Sequence, residues 1–208
     1  MTTLWIGMAS AFAGLVLAVG CLEHEADSKR KGTRNLSGPV FYWVYLPLLV
    51  PQISFMAGIQ LLLAALKLDG RWVTLFWSHL IFVLPYLFIV LRTTYLSYDR
   101  RFFDQALLLG KSYTAAFLKI KLPMLCRPLL FSFAVGFSVS VAQYIPTMLV
   151  GAGRFPTLTT EAVAIASGSD RRALAVYALI QQALPLLIYA LALVAPKILY
   201  YNRKGMQV

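Results

Sequence analysis

An all-α membrane protein with about five transmembrane helices is predicted by three features of the 208-residue sequence. Hydrophobic residues make up 60% of the chain and charged residues 13%, and mean hydropathy is +0.72. A soluble domain has about 45–50% apolar and about 25% charged residues, so a water-soluble fold is excluded. Five stretches almost free of charge, 4–22, 39–66, 72–91, 128–153 and 173–196, each match the roughly 20 residues that cross a bilayer. None shows the period-two alternation of a membrane β-strand, and in lipid the backbone must bond to itself, so the stretches read as helices.

The segment 4–22 carries no Lys or Arg ahead of it, so it lacks the basic region of a cleaved leader and is expected to stay in the membrane. Prolines stand inside the other four: Pro47 and Pro51, Pro85, Pro146, and Pro185. Each removes a backbone bond and bends its helix, for packing or for movement. The stretch 156–166 suits either a short helix in the outer interface or a plain loop, and Ser169 or Asp170 can cap the last span. Cys21 and Cys126 each end an apolar run and are expected to be free, reduced thiols.

The formal charge of +11 does not point to nucleic acid, because the basic residues lie between apolar runs, at membrane boundaries. Fourteen of the 19 fall in residues 23–38, residues 92–127 and the tail after 196, and five fall in the other two connections. By the positive-inside rule the amino terminus is outside, and the two basic loops and the carboxyl terminus are cytoplasmic.

The loop 92–127 is too long for a turn and too apolar for a disordered linker. Asp99 can cap a short helix in which Phe102, Phe103, Ala106, Leu107 and Leu109 recur at helical spacing, and Gly110 supplies a stop. Ser112 can cap a second helix carrying Ala115, Ala116, Phe117 and Ile120 and ending near Pro123. The result is a two-helix element over about 99–123, exposed to the cytosol, with one apolar face for its own spans and a surface left for a partner.

From Asp104 the segment DQALLLGKSYTAAFLKIKLP resembles the EAA loop of binding-protein-dependent ABC importer permeases: Glu-Ala-Ala, three residues, Gly, nine residues, Ile, any residue, Leu-Pro. Ala106, Gly110, Ile120, Leu122 and Pro123 stand at the family's positions. Asp104 replaces Glu and Gln105 replaces the first Ala, which keeps the charge but shortens its reach by one methylene. LPLLVP at 46–51, HLIFVLPY at 79–86 and the stretch 138–162 look like the iron(III), thiamine and polyamine importer group. The resemblance implies a type I permease fold, a coupling loop over 99–123, and one half, the carboxyl-terminal one, of a permease often built as a two-half chain. It implies a docking loop made of Asp104, Ala106, Gly110, Ile120, Leu122 and Pro123 that receives a cytoplasmic ATP-binding subunit. The other implied partners are a second permease half, an external solute-binding protein and the lipid of a bacterial inner membrane. ATP would be bound by the partner, so this chain needs no cofactor.

His79 lies inside the third span, where ionisable residues are costly, and reads as a neutral histidine packed between helices or as a functional group. Gln143, Tyr144, Gln181 and Gln182 lie at mid-span depth, near Pro146 and Pro185. They either bond helix to helix or line a solute path. No HExxH, GxSxG, paired intramembrane carboxylates or phosphate-binding loop occurs, so an enzyme is not expected. An ion-driven secondary carrier, which would call for more spans or an inverted repeat and an intramembrane acid, and a truncated, non-transporting membrane subunit stand as alternatives.

Overall fold

Small residues on one stripe of the first helix decide how the bundle closes. The computed structural model describes residues 1–30, 32, 37–168 and 170–199, and within them α1 runs Thr2–Arg30. Gly7, Ala11, Gly14 and Ala18 recur at helical spacing and are buried, while Trp5, Phe12 and Val16 on the other side are exposed. Interfaces of small residues let membrane helices approach closely. A Cβ built on Gly14 would stand 2.6 Å from Leu87 Cδ1, and one on Gly136 would stand 2.8 Å from Leu87 Cδ2. Leu87 is thus held between two glycines. Around it α1, α4 (Trp72–Leu96) and α8 (Cys126–Ala142) form the central packing unit, with Ala18, Leu22, Val83, Phe88, Leu91, Tyr95 and Leu125 in one buried cluster.

The helix α1 does not stop where its apolar run stops at Leu22. It carries the expected loop residues 23–30 as further helical turns, because no Gly or Pro interrupts them and their charges are paired against α4 and the loop that follows it. Ser169 and the basic residues Lys31, Arg34, Arg203 and Lys204 lie outside the described residues.

Two expected spans are broken. Helices α2 (Ser37–Leu49) and α3 (Gln52–Ala65) replace one helix over 39–66 and meet at 109°. Pro51 lacks an N–H and disfavours helical geometry in Val50 before it, so the chain turns there. Helix α3 packs through Met56 against Phe82 of α4 and against Val150. The fourth stretch, expected over 128–153, divides into α8 and α9 (Ile145–Gly151), with Gln143 extended between them at ψ 100° and Pro146 in the first turn of α9.

Between α4 and α8 lie α5 (Arg101–Leu108), α6 (Tyr113–Ala116), a π-helical turn over Phe117–Lys121 and α7 (Leu122–Met124), after which the chain bends by 73° into α8. Helix α10 (Leu158–Ala166) is capped reciprocally by Thr157 and Thr160 and packs on α11 (Arg171–Leu199). Asp170 Oδ1 accepts the Ala173 N–H at 3.0 Å and so caps α11. No strand occurs among the described residues. Three helices are long and apolar enough to cross a membrane, and five crossings result if each bent pair is one span.

Candidate functional site

The segment between α4 and α8 has a core of its own. After the Ser97 cap of α4, Asp99 Oδ1 accepts the Arg101 N–H at 3.0 Å and turns the chain into α5. Phe103 and Ala106 of α5 bury against Ala116, with Tyr98, Leu107, Phe117 and Ile120 around them. The Phe103 and Tyr113 rings meet edge to face at 5.1 Å. Gly110 stops α5 at φ +78°, a conformation that favours glycine. Through it the Lys111 N–H reaches back to the Ala106 carbonyl at 3.0 Å. Ser112 caps α6 by accepting the Ala115 N–H at 3.3 Å. The π-helical turn ends at Lys121, and two residues on in α7 stands Pro123, whose missing N–H breaks the regular α-helical ladder.

This arrangement brings Asp104, Ala106, Gly110 and Ile120 into one element, with Leu122 and Pro123 at its foot in α7. Their positions differ in kind. Ala106 is buried inside the element and Ile120 packs on its small core, whereas Gly110 is at the open tip, where a built Cβ meets nothing within 4 Å among the described residues. Beside it Leu108 and Leu109 are 87% and 81% exposed, which makes the tip an uncovered apolar surface. Asp104 does not point to an empty approach: its Oδ1 accepts from Arg100 Nε at 3.3 Å, and Arg100 Nη1 also reaches Asp27 Oδ1 at 3.0 Å. Burial weighs against the charge of Arg100, but the hydrogen bonds to Asp27 and Asp104 hold its guanidinium above the ordinary value.

The acids at the end of α1 are bonding partners of α4 and of the element after it that the sequence reading passed over. Glu23 accepts from Tyr95 Oη at 2.5 Å, from Tyr113 Oη at 2.6 Å and from the Lys121 ammonium. Glu25, fully buried, takes Arg92 Nη2 at 2.7 Å and Lys29 Nζ at 3.0 Å. The signal was in the sequence: Glu23, Glu25 and Asp27 alternate directly before Lys29 and Arg30. A count of basic residues alone hides them.

A second polar group lies in the middle of the bundle. His79 Nδ1 bonds Ser140 Oγ at 2.8 Å and His79 Nε2 bonds Thr147 Oγ1 at 2.9 Å, while Ser10 Oγ lies 3.0 Å from Ser140 Oγ. Both ring nitrogens are therefore satisfied between α1, α4, α8 and α9. Ser140→Ala removes one of those partners, and the expected cost is about 1–3 kcal/mol. It should appear as a lower thermal midpoint in detergent with unchanged starting helicity by circular dichroism.

Gln143 donates from Nε2 to the His79 carbonyl at 3.2 Å, and its buried Oε1 has no partner among the described residues. It lines a cavity of about 610 Å³ with Pro47, Val50, Pro51, Phe82 and Tyr86. Tyr144 lines a different cavity of about 460 Å³, beside Thr147, Met148 and Glu161. Gln181 is half-buried on α11 and lines neither. The three polar residues are not gathered into one site.

Fold and site together define an all-helical, multi-pass membrane protein with a small folded element between its central helices. No family model matches the chain. Over 207 residues, 100% of this chain, it is 39% identical to the inner membrane ABC transporter permease protein YnjC of Escherichia coli (strain K12). The chain spans 38% of that relative's length.

Proposed function

We propose that the chain is the membrane permease component of an ATP-driven importer and forms half of its solute path. The observation that carries the reading is the element α5–α6: helix, glycine at positive φ and capped helix, with an apolar tip open to a partner. Similarity along this whole chain to 38% of an ABC permease protein supports it. In this reading a cytoplasmic ATP-binding subunit seats on the tip, with Ala106 and Ile120 shaping the element from within and Leu122 and Pro123 joining it to α8. A second permease half covers faces such as the exposed Leu179, Leu187 and Leu191 of α11, and an external binding protein delivers the solute.

The amino terminus lies outside and the element inside, in a bacterial inner membrane. The chain acts as the carboxyl-terminal half of a permease of the iron(III), thiamine and polyamine group. Gln143, whose Oε1 has no partner among the described residues and belongs to a cavity wall at a helix break, is the residue best placed to meet solute, with Tyr144 and Gln181 as further lining in the assembled path.

The experiment is co-purification with a co-expressed candidate ATP-binding subunit, combined with membrane-impermeant maleimide labelling of a Lys111→Cys variant. Binding of the subunit and labelling only in inside-out vesicles are expected. Labelling from the outer face would remove the proposal. Gly110→Trp, which places a bulky residue at φ +78° on the tip, should abolish co-purification while membrane insertion persists.

A further inference from the structure

Glu23 stands where three separately folded parts of the chain meet. It belongs to α1, Tyr95 to α4, and Tyr113 and Lys121 to the element after α4, and all three side chains donate to its carboxylate. The two oxygens divide the work: Oε1 takes Tyr113, and Oε2 takes Tyr95 and Lys121. Lys121 is 5% exposed, and its ammonium lies 4.5 Å from the Tyr95 ring centre and 5.6 Å from that of Tyr98. A buried lysine keeps its charge at low cost only beside a carboxylate, and taking that carboxylate away leaves the charge uncompensated. The neighbouring Glu25 bonds Arg92 and Lys29 instead, so it ties α1 to α4 and does not reach the element.

We propose that Glu23 is a positioning residue that locks the α5–α6 element onto α1 and α4 through Lys121, Tyr113 and Tyr95. The three helices that pack around Leu87 then receive a displacement of the element as one body: α8 through the covalent bend at Leu125, and α1 and α4 through the Glu23 bonds. Without the lock, α1 keeps only the Asp27 contacts with Arg100 and Tyr113 at the outer end of the element, so a push on the tip reaches α1 more weakly than it reaches α8. This use of the lock rests on the proposed docking of an ATP-binding subunit; the lock itself does not.

Hydrogen exchange read by mass spectrometry tests both parts. With the purified chain in lipid nanodiscs, Glu23→Gln is expected to raise exchange in residues 101–121 by about tenfold or more, since a charge-assisted network holds that segment closed. Exchange in 126–142 should stay unchanged, and Glu23→Lys combined with Lys121→Glu should restore most of the protection. Unchanged exchange in 101–121, or an equal rise throughout the bundle, overturns the lock. In the complex with the ATP-binding subunit, ATP with vanadate should alter exchange in α1, α4 and α8 of the wild type. In Glu23→Gln the change in α1 should fall well below that of the wild type, while the change in 101–121 and α8 persists. A response in α1 that is undiminished in the variant overturns the coupling role, whereas a wild type with no nucleotide response counts against the proposed function and leaves the nanodisc result to decide the lock.

Discussion

Gly14→Val should strip most of the folded protein from a detergent extract, while Gly20→Val on the same helix should leave the yield unchanged. The two glycines share a helix and a chemistry but not a neighbourhood. A Cβ at Gly14 would come within 2.6 Å of Leu87 Cδ1 and 3.3 Å of Leu80 Cδ1, whereas one at Gly20 meets nothing within 4 Å. Relief by moving Leu87 is closed off, because Gly136 of α8 lies so near its other methyl that a Cβ built there would stand 2.8 Å from Leu87 Cδ2. The helices must therefore separate, and overpacking of this kind costs about 1–3 kcal/mol, with more where the surroundings cannot yield. Leu87→Ala alone should also destabilise, by about 2–5 kcal/mol, through the space it leaves. In the double variant the new valine occupies part of that space, so the loss should fall short of the sum by about 0.5–3 kcal/mol. Fluorescence size-exclusion profiles after graded heating measure all four proteins. Strict additivity would mean that Leu87 is not what limits the approach of α1.

The apolar runs made the membrane class and the helical content plain from the sequence, because burial in lipid forces one backbone solution. Local stop signals were equally readable: Gly110 ends a helix and Ser112 starts one, each through bonds within five residues. The breaks were not. Pro47, Pro51, Pro85, Pro146 and Pro185 all lie in apolar runs, yet α4 passes through Pro85 as one helix while the chain turns by 109° at Val50–Pro51. A proline removes the same bond everywhere, and the packing around it determines whether the helix continues: Pro85 lies in a buried part of α4, where α1 and α8 hold the helix on two sides. The charged end of α1 was missed for a related reason. Glu23, Glu25 and Asp27 gain their meaning from Arg92, Arg100, Tyr113 and Lys121, which lie 67 to 98 positions away in sequence. Asp104 shows the same limit in reverse. Its sequence setting suggests an acid free for a partner, but Arg100, one helical turn earlier, already holds it.

That pairing shifts the expected weight of partner binding from the acid to the apolar tip. Leu109→Asp should weaken the proposed docking of an ATP-binding subunit by about 30-fold or more, equivalent to a loss of about 2 kcal/mol or greater at an interface anchor. Asp104→Asn should change it less. Leu109 is 81% exposed and Leu108 87%, so neither contributes to the core formed by Phe103, Ala106 and Ala116, and a charge placed there meets water while the chain is alone. Covered by a partner, the same carboxylate must be desolvated without a counter-charge, which is why the effect appears on binding and not on folding. The comparison is cleaner than any change at Gly110, where a side chain also strains a backbone at φ +78°. Biolayer interferometry with the nanodisc-embedded chain, paired with its thermal midpoint, separates the two effects. An unaltered midpoint with lost binding places the partner on the tip. Full binding by Leu109→Asp together with loss in Asp104→Asn would move the docking surface to the Arg100–Asp104 side of α5.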